Sequence, residues 1–419
     1  MKFTIQLALL SAASIGLTIL FQWVVLTRVG PGAETDAFFA GMTVPQLVLA
    51  VVSASLTHVL VPLLAGENRE RIRQDTWTFL TLIVGLFGLI AVVLGLFASW
   101  WVPLIVPGFD AAGHELTVEL TRIQLAGMVF AAVNGVQWAA YHARRQFLWV
   151  ETAPCIAGLL SLLLLTLTLP RFGIVAAAWI STLGMGLQTL LLAPGLGRPA
   201  TPDFSSPAVI TAWRRIKPLL AGTAYYKTDP MIDRFMLSMA GSGNLSLYYL
   251  GQQIYGAVNQ MLNKSIVSPM VPALSVHHKA GDRAAFLQLY RRKLMQVGLI
   301  SVSGLAILGM FGRTLLVPLV AYGSFSIQDM ERLWWIMVWL GGAFLGSSMG
   351  QISSSSLYAS GDTTTPTRLG IVTYTLYIPA KIALFYAYGI AGLAVATGLF
   401  FVTNLLLQNY CISTRHGVG

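Results

Sequence analysis

The densest chemistry in this chain lies in one short segment, "AYYKTDPMIDRF", residues 224–235. It carries Lys227, Asp229, Asp233 and Arg234, with Pro230 among them. Side chains four apart share a helix face, so Asp229 and Asp233 form one pair. Lys227 and Arg234, seven apart, form another. Two carboxylates on one face bind a proton or a cation; two cations on one face hold an anion. The flanking sequence is apolar enough for a membrane span, where each charge costs about 2.5–3.5 kcal/mol at the bilayer centre. Four such groups do not face lipid. Pro230 donates no backbone hydrogen bond and crowds the carbonyl four residues back, so a break with Pro230 as its hinge is expected. Broken helices at membrane depth line cavities or lie buried in protein. The segment is therefore expected to line a charged aqueous cavity; the alternative is a buried ion-pair brace.

A second polar segment, "YGAVNQMLNKS" at 255–265, places Asn259 and Asn263 on one stripe and Gln260 and Lys264 on the next. Two adjacent stripes suit a cavity wall, with snorkelling of Lys264 as the alternative. Lys381, inside another apolar run, is open to the same two readings. Gln22, Asn134 and Gln137 are buried polar candidates in the first half, of a kind that more often joins helices than binds a ligand.

Other chemistries find little support. Cys155 and Cys411 each fall in an apolar run, and the six histidines show no metal-ligand spacing with them. No P-loop, HExxH or GxSxG arrangement occurs. The outer loops are too short to carry an enzyme's carboxylates. Neither a resident cofactor nor a metal is expected, and the chain is not read as an enzyme.

The elements that must position these residues are membrane helices. Of 419 residues, 56% are hydrophobic and 10% charged, against about 25% charged in soluble domains. The formal charge of +10 lies mostly in short loops, where it reports topology and not nucleic-acid binding. The first apolar run, 3–27, is longer than the roughly 7–15 residues of a signal-peptide core. Spans are expected at 5–27, 37–64, 76–100, 116–141, 152–170, 173–194, 211–238, 245–274, 294–320, 331–358, 367–387 and 389–411. Arginine and lysine recur in alternate loops (Arg69, Arg71 and Arg73; Arg144 and Arg145; Arg198, Arg214, Arg215 and Lys217; Lys279, Arg283, Arg291, Arg292 and Lys293; Arg368; Arg415). The positive-inside rule then makes both termini cytoplasmic.

The chain also repeats itself. "VPLL" at Val61 returns as "VPAL" at Val271, "VPLIV" at Val102 as "VPLV" at Val317, and "GIVAAAWIST" at Gly173 as "GIAGLAVATG" at Gly389, at offsets of 210, 215 and 216 residues. The expected organisation is a six-helix lobe at 1–194, a linker at 195–207 and a second six-helix lobe at 208–419. Such pseudo-symmetric lobes enclose a central cavity.

The stretch "TRVGPGAETDAFFAGMTVPQLVLAVVSASLTHVLVPLL" resembles the first-to-second-helix signature of the MviN/MurJ-type lipid flippases, carried by Arg28, Gly30, Thr35, Asp36, Ala37, Phe38, Pro45, Val61 and Pro62. The segments 232–275 and "ASGDTTTPTRLGIV" at 359–372 resemble later segments of the family and of the wider multidrug and polysaccharide exporter superfamily. The resemblance implies an all-α, multi-pass protein of the bacterial inner membrane. It would move a polyprenyl-diphosphate-linked saccharide, lipid II or an exopolysaccharide precursor, by alternating access. Joined to the residue reading above, it gives an expected cavity holding Lys227, Arg234, Lys264, Asn259, Asn263, Gln22, Arg28 and Asp36, with the cationic members on the diphosphate. Asp229 and Asp233 would couple transport to Na⁺ or H⁺. Membrane lipids and cell-envelope synthesis proteins are the implied partners. Where the family's lipid II flippases carry deep arginines, roughly matched positions here read Gln22, Leu49 and Gln252. The alternatives are a cation-coupled multidrug exporter and a non-transporting envelope scaffold.

Overall fold

A computed structural model describes residues 2–64, 69–214 and 225–416. Of the residues singled out above, Arg215, Lys217 and Ala224 lie outside the described part, as does the middle of the seventh expected span. The described chain is helical throughout, with no strand. Hydrocarbon offers no partner for a backbone N–H or C=O, so an apolar chain satisfies them within its own helices. The helices are α1 (Lys2–Val29), α2 (Ala33–Gly41), α3 (Thr43–Leu64), α4 (Arg69–Leu96), α5 (Ala98–Ile105), α6 (Ala111–Ala143), α7 (Phe147–Leu192), α8 (Asp229–Ser238), α9 (Asn244–Leu262), α10 (Ser268–Lys279), α11 (Arg283–Val320), α12 (Ile327–Ala359) and α13 (Thr364–His416). Residues 207–214 are also helical. Two compact units result, 1–246 and 247–419.

In the first unit, α3, α4 and α6 pack around Leu60, Leu64, Phe87, Met128 and Val136. The Pro- and Ser-rich stretch after α7 is fastened to α4: Ser206 Oγ donates to Asp75 Oδ1 at 2.6 Å, and the Asp203 N–H to Thr78 Oγ1 at 2.9 Å. In the second unit the core is built on Leu274, Phe286, Tyr290, Val297 and Ile352. There α12 and α13 approach closely through glycines. A Cβ at Gly346 would lie 2.7 Å from the Val402 nitrogen, and one at Gly398 would lie 3.2 Å from the Ala343 nitrogen. Small residues one turn apart are the usual means of close helix contact in lipid.

Among the described residues, seven helices are long and apolar enough to cross a membrane. Two of them, at 50 and 51 residues, would be about 75 Å long if straight, against a hydrocarbon core of about 30 Å. Each is in fact a hairpin. In α7 the reversal is at Gly173 (φ 60°, ψ −155°) and in α13 at Gly389 (φ 60°, ψ −136°). The arms then run side by side. Trp149 Nε1 donates to the Leu191 carbonyl at 2.9 Å. In α13 the Tyr377 and Thr397 hydroxyls lie 2.9 Å apart, and Asn404 donates to Thr373. Each hairpin thus supplies the two spans expected from its sequence.

The repeated motifs take the same backbone form in each unit. Both glycines occupy the same positive-φ turn. Helix α5 is closed by the Val106 N–H on the Val102 carbonyl, and α11 by the Ala321 N–H on the Val317 carbonyl. A side chain is strained at φ near +60° with ψ near ±150°, at about 1–3 kcal/mol. Gly173→Ala and Gly389→Ala are each expected to lower unfolding stability in detergent by that amount. Gly16→Ala, where a Cβ meets nothing within 4 Å in mid-helix, is expected to be neutral or stabilising. Equal stability of all three variants would show that the turns carry no strain.

Candidate functional site

The charged segment opens on a 3₁₀ turn at Tyr226–Thr228, and α8 starts at Asp229. Pro230 therefore stands in the first turn of a helix, where its missing N–H leaves nothing unsatisfied. The residues before Tyr225, where a helix broken at this proline would lie, are outside the described part. Lys227 lies in the 3₁₀ turn and Arg234 in α8, so the tighter turn offsets the register that a regular helix would give the two. Asp233 and Arg234 are buried, at 1% and 3% exposure. Lys227 and Asp229 are half-buried and Pro230 is exposed. At its far end α8 lies against the turn after α5. The Gly108 N–H donates to Ser238 Oγ at 3.2 Å, and a Cβ at Gly108 would lie 2.3 Å from the Ser238 carbonyl oxygen.

Asp36 is the best-anchored of the expected residues. Its carboxylate is 1% exposed. Oδ2 accepts the Gly243 N–H at 2.6 Å and Oδ1 accepts the Ser246 N–H at 2.8 Å. These amides lie at the start of α9, where the first N–H groups have no partner within the helix and the helix dipole favours negative charge. Thr35 adds a bond to Ser246 Oγ at 3.2 Å and one to the Gly30 carbonyl at 3.0 Å. Burial pushes the Asp36 carboxyl up to about 6, and the bonds from Ser246 and Gly243 and, least, the Arg234 charge act against that rise. The Thr-Asp pair and Arg234 are thus brought together. Gly243 and Ser246, more than 200 residues from Asp36, were not anticipated; a Gly-rich turn before a helix start is the only local signal for them. Gln22 is buried at 6% on α1, its Oε1 without a partner among the described residues. Arg28 is exposed in the last turn of α1.

In the second unit, Asn259 donates from Nδ2 to Ser347 Oγ at 2.9 Å, and its Oδ1 has no partner among the described residues. Tyr255 fixes the same helix, donating to the Met337 carbonyl at 2.7 Å and stacking on Phe344 at 4.7 Å. Asn263 and Lys264 open a π-turn, Asn263–Val267, closed by the Ser268 N–H on the Asn263 carbonyl. Pro269 follows and has no N–H for the α-helical partner, so the wider turn lets the ladder resume. Wide turns inside helices are frequent at functional positions. Asn263 is half-buried and Lys264 exposed. Lys381 does not snorkel. It is 0% exposed, with Nζ 4.9 Å from the centre of the Tyr377 ring, whose negative face offsets part of the cost of burying an ammonium. Among the described residues no cluster of three or more His, Cys, Asp or Glu is placed to hold a metal ion.

Comparison with known proteins assigns the architecture. The chain is 23% identical over 406 residues to a probable lipid II flippase MurJ of Vibrio cholerae, covering 92% of this chain and 77% of that protein. It is 21% identical to a probable lipid II flippase MurJ of Buchnera aphidicola, covering 90% and 77%. Among solved structures, a lipid II flippase MurJ in an inward closed conformation matches with a TM-score of 0.85 at 16% identity, covering 98% of this chain and 87% of that one. An inward-facing MATE family multidrug resistance transporter matches at 0.80 and 14%, covering 97% and 94%. These structural likenesses show a shared all-helical transporter fold. The model of the lipid II flippase MurJ family matches residues 25–419, nearly the whole chain, and the chain belongs to that family.

Proposed function

We propose that this chain is a flippase that carries a polyprenyl-diphosphate-linked saccharide, lipid II or an exopolysaccharide precursor, across the bacterial inner membrane by alternating access. The observation that carries the reading is the family match over residues 25–419 of a membrane-helical chain. The site residues support it. Lys227, Arg234 and Lys264 are the cations we assign to the diphosphate, because fixed positive charge in a poorly screened cavity attracts a multivalent anion strongly. Asn259, Asn263 and Gln22 would meet the saccharide. Arg28 stands at an end of α1, and Asp36 holds the frame around Arg234. Asp229 and Asp233 are assigned to Na⁺ or H⁺ coupling. The two halves, 1–194 and 208–419, are proposed to be a duplicated pair, with both termini cytoplasmic. Cell-envelope synthesis enzymes are the proposed protein partners.

Reconstituted vesicles carrying a fluorescent lipid-linked saccharide test the reading. Protein-dependent exposure of the headgroup to an impermeant quencher is expected, and transport of organic cations in its place would overturn it. Orientation is checked with single cysteines and an impermeant thiol reagent. Position 145 is expected to resist labelling in intact cells and position 110 to react; the reverse pattern would invert the topology.

A further inference from the structure

A groove in the first unit, between α5, α6 and α7, is separate from the charged segment around α8. It encloses about 650 Å³ and is lined by Ser99, His114, Glu115, Glu119, Arg122 and Trp179, among others. We propose that this groove binds the headgroup of an aminophospholipid, with the phosphate on Arg122 and the primary ammonium on Glu119 and Glu115.

The first argument is depth. Helix α6 has 33 residues, about 50 Å at 1.5 Å per residue, some 20 Å more than the hydrocarbon core. Its charged first turns therefore lie at the headgroup level. Exposed tryptophans mark the same level on the neighbouring helices, Trp100 on α5 at 73% and Trp179 on α7 at 50%; tryptophan collects at membrane–water interfaces.

The second argument is the state of the charges. Arg122 is aimed by the protein: Nε donates to the Gly95 carbonyl at 3.0 Å and Nη2 to Ser99 Oγ at 3.4 Å. These bonds leave other guanidinium hydrogens available, since the fork has five. Among the described residues Arg122, Glu115 and Glu119 form no ion pair, although they follow one another at i, i+4 and i+7 on one face. His114, also on the lining, is fastened by its Nε2, 2.8 Å from the Val106 carbonyl. One guanidinium and two carboxylates about one and two turns away present both signs of charge to a zwitterion. A primary ammonium, two carbons from its phosphate ester, spans about one helical turn of roughly 5 Å. A choline headgroup has no N–H to donate to the carboxylates. An anionic headgroup such as glycerol phosphate offers no cation and meets two negative charges.

The inference rests only on the chain's lying in a membrane, and not on the flippase reading. The test is binding of phosphatidylethanolamine, phosphatidylcholine and phosphatidylglycerol of matched acyl chains to the purified full chain in detergent, read by native mass spectrometry, with inorganic phosphate and Mg²⁺ as competitors. Phosphatidylethanolamine is expected to occupy one site about ten-fold more tightly than the other two lipids, as charge-assisted bonds allow. Arg122→Gln is expected to remove that binding. Because Arg122 also ties α6 to Gly95, a failure of that variant to fold leaves the decision to Glu115→Gln/Glu119→Gln. Those carboxylates make no hydrogen bond among the described residues, and their loss should erase the preference for ethanolamine over choline. Equal binding of all three lipids to the native chain, an unchanged preference in the glutamine pair, or displacement by phosphate or Mg²⁺ alone would overturn the proposal.

Discussion

Replacement of Lys227 by glutamine is expected to slow translocation of a lipid-linked saccharide in vesicles by about ten-fold or more, which is the loss of one charge-assisted bond to a phosphate. Unfolding stability should not change, because Lys227 is half-buried and precedes α8. Lys227→Arg should keep most of the rate. Arg234 differs, since it is 3% exposed and its charge acts on Asp36. Arg234→Gln should cost both transport and about 1–3 kcal/mol of stability, because the groups buried around the guanidinium lose a charged neighbour. The double neutralisation of Lys227 and Asp229 separates the two readings of the segment. If the charges only brace the protein, the double variant recovers both stability and rate; if Lys227 contacts substrate, the rate stays low. Full recovery would sink the cavity assignment.

The second large effect is expected at Asp36. Asp36→Ala removes the acceptor of two buried amides, Gly243 and Ser246. An unsatisfied buried donor costs about 1–3 kcal/mol, so with two of them the variant should lose about 2–6 kcal/mol. Asp36→Asn keeps one acceptor and should lose about half as much. Equilibrium unfolding in detergent reads the difference. A stable Asp36→Ala protein that has lost transport would instead make Asp36 a substrate contact and not a clamp. Hydrogen exchange gives an independent readout, because the amides of 243 and 246 should lose protection before those in mid-helix.

What the sequence disclosed depended on the range of the interaction involved. Apolar runs set the spans, since hydrocarbon thickness dictates their length. Gly173 and Gly389 were visible because each opens a repeated motif, and the structure places the reversal on those same two residues. Pro230 stands in the first turn of α8, a place that its missing N–H suits. Asp229 and Asp233 keep their four-residue spacing inside α8, whereas the 3₁₀ turn before Asp229 shifts Lys227 from the register that a regular helix assumes. Asp36 read as part of a motif, but its partners are more than 200 residues away, beyond any local pattern. Lys381 was ambiguous for a similar reason: an apolar run says that a lysine is costly, and only tertiary packing says that Tyr377 is there to receive it.

The hairpins of α7 and α13 also bear on how the protein is made. With a single glycine at each reversal, the second arm leaves the ribosome directly behind the first, and no loop gives the insertion machinery time to release one arm before the other arrives. The arms already hold partners for each other, as Tyr377 and Thr397 do. Each pair is therefore expected to enter the bilayer as one object, with its internal hydroxyls matched as it inserts. The first hairpin then joins helices already made, and the second closes the chain, each as a preformed pair and not as two single helices.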